Sequence, residues 1–235
     1  MTAPPVVRLV PGLGLDGAAW RPTVESLPAA WTRGLVVALL PGYGERAARR
    51  ADLRPAALAE LLLDRGCPAD RQVVLVGHSA SCQVVAEAAR RRPDRVAGLV
   101  LVGPTTDPRA RSWPSLARRW LATARHERVG EVPTLIRQYS RTGFRTMARA
   151  MDAARRADVR DAVAGSRCPV LVLRGPDDRI CPADWAADLA ALAGRPVGDR
   201  PSRSVTLAGG AHMVPLTHGR LVARELERLG ALEAR

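Results

Sequence analysis

The chain has 235 residues, 47% of them hydrophobic, which is typical of a globular domain and excludes a disordered chain. Its formal net charge of +13 is carried by arginine alone, because no lysine occurs. These arginines are scattered along the chain rather than clustered with aromatic residues or glycines. We therefore expect no nucleic-acid partner.

The spacing of the cysteines fits neither a metal site nor a redox pair. No CxxC pair occurs among them, and their spacing to the histidines matches no metal-ligand set. We expect free thiols and no metal.

No window reaches the roughly eighteen apolar residues of a membrane span, and the apolar run near the first residue is too short for a secretory signal. The patterns predict a soluble, cytoplasmic protein without a membrane partner, as a monomer or homodimer.

Short runs rich in β-branched residues alternate with Ala/Leu/Arg segments of helical pattern. The runs predict strands at residues 6–10, 34–39, 72–76, 96–102, 170–173 and 203–207. The segments between them predict helices at residues 18–26, 55–65, 80–92, 183–193 and 216–232. Mostly apolar strands that alternate with helices are typical of an α/β fold, with a mostly parallel sheet of about six strands covered on both faces.

Residues 105–169 interrupt this alternation because they hold no convincing strand. Their pattern instead predicts helices at residues 112–127 and 132–156. An insertion of this kind on an α/β core is typical of a lid or a small subdomain. We predict a helical lid of residues 105–169 over a core made of residues 1–104 and 170–235, and we call residues 105–169 the helical insertion.

The stretch VLVGHSASC, residues 74–82, runs from an apolar strand through Gly77 and Ser79 into a helix. A tight strand-to-helix turn of this composition exposes a serine at the carboxyl edge of a parallel sheet. The start of the helix adds positive potential and free N–H groups near that serine. Taken alone, the same residues are also compatible with a plain helix cap.

A nucleophilic serine needs a base, and the base needs a carboxylate that orients it. His212 lies in a glycine-rich loop after the last predicted strand, and Asp177 and Asp178 follow the strand before it. Because each group follows a different strand, a parallel sheet brings them to one edge. The order of these residues predicts a triad of Ser79, His212 and one of the two aspartates.

The first predicted strand leads into PGLGLDG, residues 11–17. Its glycines would let backbone N–H groups point at a developing oxyanion, and we predict the N–H groups of Leu13 and Ala80 as the two donors. The same stretch fits a dinucleotide-binding G-x-G-x-x-G pattern. That interpretation requires an acidic residue at the end of the next strand, which instead ends in ALLPG.

Five stretches together are similar to the α/β-hydrolase superfamily: PGLGLDGAAW (11–20), LLPGYGER (39–46), VGHSAS (76–81), LRGPDDRICP (173–182) and GGAHMVPL (209–216). The resemblance implies that Ser79 is the nucleophile, His212 the base and Asp178 the orienting acid, three residues after Gly175, with Asp177 as the alternative. It also implies that no metal or cofactor takes part.

Two residues depart from the pattern of that superfamily. Pro11 stands where the family often has a histidine before Gly12, and Ser81 replaces a glycine. The other histidines are predicted to lie outside the triad. We expect His78 to be structural, His218 to lie on the surface within the last helix, and His126 to contact substrate or solvent. Cys82 is expected to pack in the core.

The helical insertion holds four of the few aromatic residues of the chain. With two methionines one helical turn apart, they predict an apolar pocket above the triad: Trp113, Trp120, Tyr139, Phe144, Met147 and Met151. The alternative is that these side chains only attach the insertion to the core.

The predicted function is a serine hydrolase that acts on a small, fairly apolar ester, lactone or thioester. Two alternatives keep the same fold. DRICP, residues 178–182, is similar to a motif of C–C bond hydrolases, and some members of the fold catalyse cyclisation or elimination without hydrolysis.

Overall fold

A parallel sheet of six strands forms the centre of the computed structural model, which describes residues 6–193 and 201–231. The strand order is β2-β1-β5-β6-β7-β8, and the short strands β3 and β4 pair separately. The strands are β1 (Val6–Val10), β2 (Val36–Val37), β3 (Leu40–Pro41), β4 (Gly44–Glu45), β5 (Val73–His78), β6 (Val96–Val102), β7 (Val170–Arg174) and β8 (Arg203–Thr206).

Some helices cover the two faces of the sheet, and others belong to the helical insertion. They are α1 (Arg21–Val24), α2 (Ala29–Thr32), α3 (Pro55–Gly66), α4 (Ser81–Arg91), α5 (Trp113–Ala124), α6 (Val132–Thr142), α7 (Phe144–Arg156), α8 (Val159–Ala164), α9 (Ala183–Leu192), α10 (Val214–Thr217) and α11 (Gly219–Ala231). Short 3-10 helices lie at Gly17–Ala19, Pro108–Ala110 and Val129–Glu131. None of the described helices is both long and apolar enough to cross a bilayer.

The strands are apolar on both faces because each face has its own core. Leu75 and Leu99 belong to a core with α3, α4 and α9, whereas Val74 and Val100 belong to a core with α11 on the opposite face. Side chains alternate between the two faces of a strand, so a strand buried on both sides is apolar at every position. The fold class predicted from the sequence is confirmed.

Two predicted elements are shorter than expected. The strand predicted at 34–39 keeps only Val36–Val37, because the chain then leaves the sheet and the Leu40 N–H bonds the Tyr43 carbonyl instead. The helix predicted at 18–26 is a 3-10 turn followed by the four residues of α1. Pro22 lies in the first turn of α1, where its missing N–H breaks no helical hydrogen bond. In the interior of a continuous helix over 18–26, the same proline would remove such a bond.

Two other predicted helices are each divided into two shorter helices next to a glycine. The segment 132–156 divides at Gly143, whose φ of +84° ends α6 and begins α7. The segment 216–232 divides at His218, whose φ of −132° and ψ of 37° are not helical. α11 then starts at Gly219, where a Cβ would lie 2.4 Å from the backbone of Pro22. His218 therefore lies between two helices, half-buried, rather than on an exposed helix face. Leu232 and residues 1–5 lie outside the described part of the chain.

The helical insertion lies between β6 and β7 and packs against the loops at the carboxyl edge of the sheet. Gln138 of α6 accepts a hydrogen bond from the Asp16 N–H at 2.7 Å, and Thr142 donates one to the Gly14 carbonyl at 3.1 Å. These contacts place α6 directly above the loop that follows β1. The role of the insertion as a lid stays a prediction.

Replacement of Gly77 by alanine is expected to destabilise the protein by roughly 1–3 kcal/mol. A Cβ at Gly77 would lie 2.7 Å from Cγ2 of Val85 and 2.9 Å from the Cys82 backbone, where β5 and α4 are closest. Urea unfolding followed by circular dichroism measures the change. Gly130→Ala is the matched control, because no atom lies within 4 Å of its added Cβ. Equal stability of the two variants would contradict this packing.

Candidate active site

Ser79 lies on a sharp turn between β5 and α4. Its φ is +58°, which makes it the only non-glycine residue with a positive φ in the part of the chain described here. The Ser79 N–H donates to the Val102 carbonyl at 2.8 Å, and this bond fixes the turn to β6. A residue held in the left-handed region is strained, and strain of this kind is typical of a nucleophile turn. The strand extends to His78, two residues beyond its predicted end.

Ser81 uses its hydroxyl to tie this turn together. Its Oγ accepts from the His78 N–H at 2.8 Å and lies 2.9 Å from the carbonyl oxygens of Val10 and His78. The side chain is fully buried. The departure from glycine at Ser81 therefore adds a bridge between β1 and the turn. Pro11, the other departure, is buried immediately after β1.

Ser79, His212 and Asp178 form a continuous chain of hydrogen bonds. Ser79 Oγ lies 2.8 Å from His212 Nε2, and His212 Nδ1 lies 2.8 Å from Asp178 Oδ2. The second carboxylate oxygen, Asp178 Oδ1, accepts from the N–H groups of Ile180 at 2.9 Å and Cys181 at 3.0 Å. Because Nδ1–H donates to the carboxylate, Nε2 is free to accept the serine proton.

The surroundings of this pair favour a charged imidazolium beside a carboxylate. Burial raises the pKa of Asp178, but attraction to His212 and the hydrogen bonds to its oxygens outweigh this and hold the pKa below its ordinary value. Burial lowers the pKa of His212, but the charge of Asp178, their hydrogen bond and the charge of Glu127 bring the net pKa above 6.5. His212 is therefore a stronger base than a free histidine.

The structure distinguishes the two aspartates. Asp178 is 1% exposed and bonds His212, whereas Asp177 is partly exposed and its carboxylate lies 3.9 Å from Nδ1 of the exposed His126. Asp178 is thus the aspartate that reaches the histidine. His126 pairs with Asp177 at the edge of the site and not with Ser79.

His78 contacts the backbone of the histidine loop. Since a carbonyl only accepts, the bond of 2.9 Å between His78 Nε2 and the His212 carbonyl oxygen requires a proton on Nε2. Burial, reinforced by the nearby His212, lowers the pKa of His78 to about 3, so its ring is neutral. The contact fits the structural role predicted for His78. Cys82 is fully buried beneath the turn, as predicted.

Two residues that the sequence analysis did not single out shape the acid loop. Arg174, at the end of β7, is buried and donates to the carbonyl oxygens of Cys181 at 2.7 Å and Asp178 at 3.0 Å. Gly103 has a φ of +55°, and a Cβ there would lie 3.0 Å from both Asp178 Oδ2 and His212 Nδ1. In the sequence, Arg174 is noticeable as an arginine in an otherwise apolar strand, and Gly103 as a glycine directly after a strand.

Two backbone N–H groups beside Ser79 have no acceptor among the described residues. They are the N–H groups of Leu13 and Ala80, the predicted oxyanion donors. In the same loop, the Gly14 N–H donates to the Gly42 carbonyl at 2.8 Å and the Leu15 N–H to the Gly12 carbonyl at 3.0 Å. The N–H groups of Asp16 and Ala18 also have acceptors, whereas that of Leu13 can donate to an incoming oxygen.

A cavity of about 810 Å³ opens above Ser79 and His212. The helical insertion supplies much of its lining, including all six predicted pocket residues: Trp113, Trp120, Tyr139, Phe144, Met147 and Met151. Several aliphatic residues that were not predicted also line it, among them Leu116, Leu135, Ile136 and Met213. Leu116, Leu135 and Ile136 lie on helices of the insertion, but the sequence did not show which face of each helix points to the cavity.

The six predicted residues lie at different depths. Phe144 is 77% exposed and Trp120 54% exposed, so both lie at the rim. Trp113 also packs beneath the guanidinium of Arg155, 5.1 Å from its ring centre. Tyr139 and Met147 lie deeper and pack on Gly14, where a Cβ would be 2.7 Å from each of them. The deeper pair therefore joins the cavity wall to the loop that holds Leu13.

Comparison with known proteins gives one family and several relatives. The family model described as "Alpha/beta hydrolase family" matches residues 9–225. A pimeloyl-[acyl-carrier protein] methyl ester esterase of Xanthomonas oryzae pv. oryzae is 27% identical over 254 residues, covering 97% of this chain and 95% of the relative. An esterase of the same name from Yersinia pestis is 26% identical over 236 residues, covering 89% of this chain and 87% of the relative.

Solved structures share the fold. A hydrolase from Oleispira antarctica superposes with a TM-score of 0.78 at 15% identity, covering 97% of this chain and 91% of the other. The match of the family model begins within β1 and spans β2 to β8, the turn at Ser79 and the loops of Asp178 and His212. The chain therefore belongs to the alpha/beta hydrolase family, as its motifs predict.

Proposed function

We propose that the protein is a serine esterase that hydrolyses carboxylic esters with an apolar acyl group, by way of an acyl-enzyme on Ser79. The observation that carries the proposal is the chain of two 2.8 Å hydrogen bonds from Ser79 through His212 to Asp178. Two free backbone N–H groups beside the serine add to it. Together these supply a nucleophile, a base and a place for the oxyanion.

In the first half of the reaction, His212 Nε2 takes the proton of Ser79 as Oγ attacks the carbonyl carbon of the ester. The carbonyl oxygen becomes an oxyanion and accepts hydrogen bonds from the N–H groups of Leu13 and Ala80. Asp178 stabilises the imidazolium through Nδ1–H. Collapse of the tetrahedral intermediate expels the alcohol, which takes the proton from His212 and leaves an acyl group on Ser79.

In the second half, a water molecule gives its proton to His212 and attacks the acyl carbon. The oxyanion forms again on the same two N–H groups. Collapse breaks the bond to Ser79, which regains its proton from His212, and the carboxylic acid leaves. Every proton passes through His212, so the position of its ring determines both halves of the cycle.

The cavity supports an apolar acyl group as the substrate class. Its walls are formed largely by aromatic and aliphatic side chains of the helical insertion, and they lie directly above Ser79. The curated relatives are named pimeloyl-[acyl-carrier protein] methyl ester esterases. Both points favour an ester of a linear acyl chain over a sugar or peptide substrate.

Catalysis should depend on Asp178 and not on its neighbour Asp177. We expect Asp178→Asn to lower kcat by about 10⁴-fold, because the amide cannot hold the required imidazole tautomer or stabilise the imidazolium. Asp177→Asn should stay within about twofold of the wild type, since that carboxylate is partly exposed and contacts His126. Steady-state hydrolysis of p-nitrophenyl butanoate measures both. Equal losses in the two variants would contradict the assignment.

The rate should fall in acid with a midpoint above that of a free histidine. The reaction needs neutral His212, and the pKa of His212 is raised above its ordinary value of 6.5. Activity is therefore complete above the raised pKa and is lost as the pH falls through it. The pH profile of kcat/KM measures the midpoint. A midpoint at or below 6.5 would contradict the electrostatics described above.

Longer acyl chains should react faster until the cavity is filled. Burial of one CH₂ group gives about 0.8 kcal/mol, which corresponds to about fourfold in kcat/KM. A series of p-nitrophenyl esters from acetate to octanoate tests this. Rates that are highest for acetate and fall with each added CH₂ would show that the cavity does not take the acyl chain.

A further inference from the structure

Glu127 extends from the helical insertion to the loop that carries His212. It lies between the end of α5 and the 3-10 helix at Val129–Glu131. Its Oε1 accepts hydrogen bonds from the backbone N–H of His212 at 2.7 Å and of Met213 at 2.8 Å. Hydrogen bonds to a carboxylate are stronger than those between neutral groups, so this contact holds the loop firmly.

The same end of α5 also contacts the loop that carries Asp178. Thr123 Oγ1 accepts from the Arg179 N–H at 3.0 Å, and Arg119 Nη1 lies 3.5 Å from the Ile180 carbonyl oxygen. One short segment of the insertion thus contacts both loops. The relative position of Asp178 and His212 therefore depends on a segment distant from both in sequence.

The titratable groups that face His212 come from three parts of the structure. Asp178 faces it from the acid loop, Glu127 from the insertion, and the neutral His78 from the end of β5. The pKa of Glu127 lies above its ordinary value, because burial outweighs the opposing effects of its two backbone hydrogen bonds and of His212. Asp178 and Tyr139 of α6 are further titratable groups that interact with Glu127.

We infer that Glu127 is a positioning residue. Its carboxylate holds the backbone of the His212 loop against the insertion, and its negative charge favours the imidazolium form of His212. The inference rests on the proposed esterase function for its kinetic consequences. The two roles can be separated. Any acceptor oxygen in the same place would hold the His212 loop, but only a charged oxygen would favour the imidazolium form of His212.

Two substitutions separate these claims. Glu127→Ala removes both the acceptor and the charge, and is expected to lower kcat about 10- to 100-fold with KM within about twofold. Glu127→Gln keeps an acceptor oxygen, so most of the lost kcat should return. Its pH midpoint should lie lower than that of the wild type by roughly 0.5–1 unit. Asp161→Asn is the control, since it removes a charge from an exposed position of the same insertion.

NMR titration of the imidazole of His212 gives a readout independent of turnover. The expected result is a lower pKa in Glu127→Gln and an unchanged one in Asp161→Asn. An unchanged pKa in Glu127→Gln overturns the charge claim, and a wild-type kcat in Glu127→Ala overturns the positioning claim. If Glu127→Ala does not fold, a kcat in Glu127→Gln that falls as far as in Asp178→Asn overturns the positioning claim instead. A wild type without ester hydrolysis, but with the NMR shift, would contradict the proposed function and leave the charge claim supported.

Discussion

The close approach of β5 and α4 at Gly77 is the constraint on which the site depends. A side chain there would collide with the backbone of Cys82, so only glycine lets the chain turn sharply enough to hold Ser79 at a φ of +58°. This turn directs Oγ at His212 and leaves the Ala80 N–H unpaired. Hydrogen bonds from Ser81 to the end of β1 and from Ser79 to the end of β6 keep the strained conformation in place.

The loops around this turn carry the other groups of the site, and each is held by contacts from elsewhere. Arg174 binds the carbonyls of the acid loop, and His78 binds the carbonyl of His212. Gly175 lets the acid and histidine loops touch, since a Cβ there would lie 2.3 Å from the Ala211 carbonyl oxygen. The geometry of the hydrogen-bonded chain thus results from backbone contacts as much as from the three side chains.

The helical insertion is integrated with these loops rather than placed loosely over them. Its α6 bonds the loop after β1, and the end of α5 contacts the loops of Asp178 and His212. The same helices form the wall of the cavity. Movement of the insertion would therefore change the shape of the pocket and the position of the base together, which couples substrate binding to the proposed chemistry.

Much of this arrangement could be predicted from the sequence because it depends on local order. Apolar strands, the turn at Ser79 and the two loops after later strands follow from residue type and spacing, and a parallel sheet then collects them at one edge. Glu127, Arg174 and Gly103 could not be identified in this way. Glu127 and Gly103 act on residues far away in sequence, whereas Arg174 bonds the backbone of a loop that is close in sequence. The residue types of Arg174 and Gly103 are unusual at their positions, but the sequence does not show which groups they contact.

The reactivity of Ser79 shows whether its hydroxyl is the nucleophile of the site. Intact-mass spectrometry after incubation with a fluorophosphonate measures whether the serine is activated, with Ser79→Ala as the comparison. We expect one adduct on the wild type and none on the variant. An adduct on both proteins, or none on a folded wild type, would contradict the assignment of Ser79 as the nucleophile of this site.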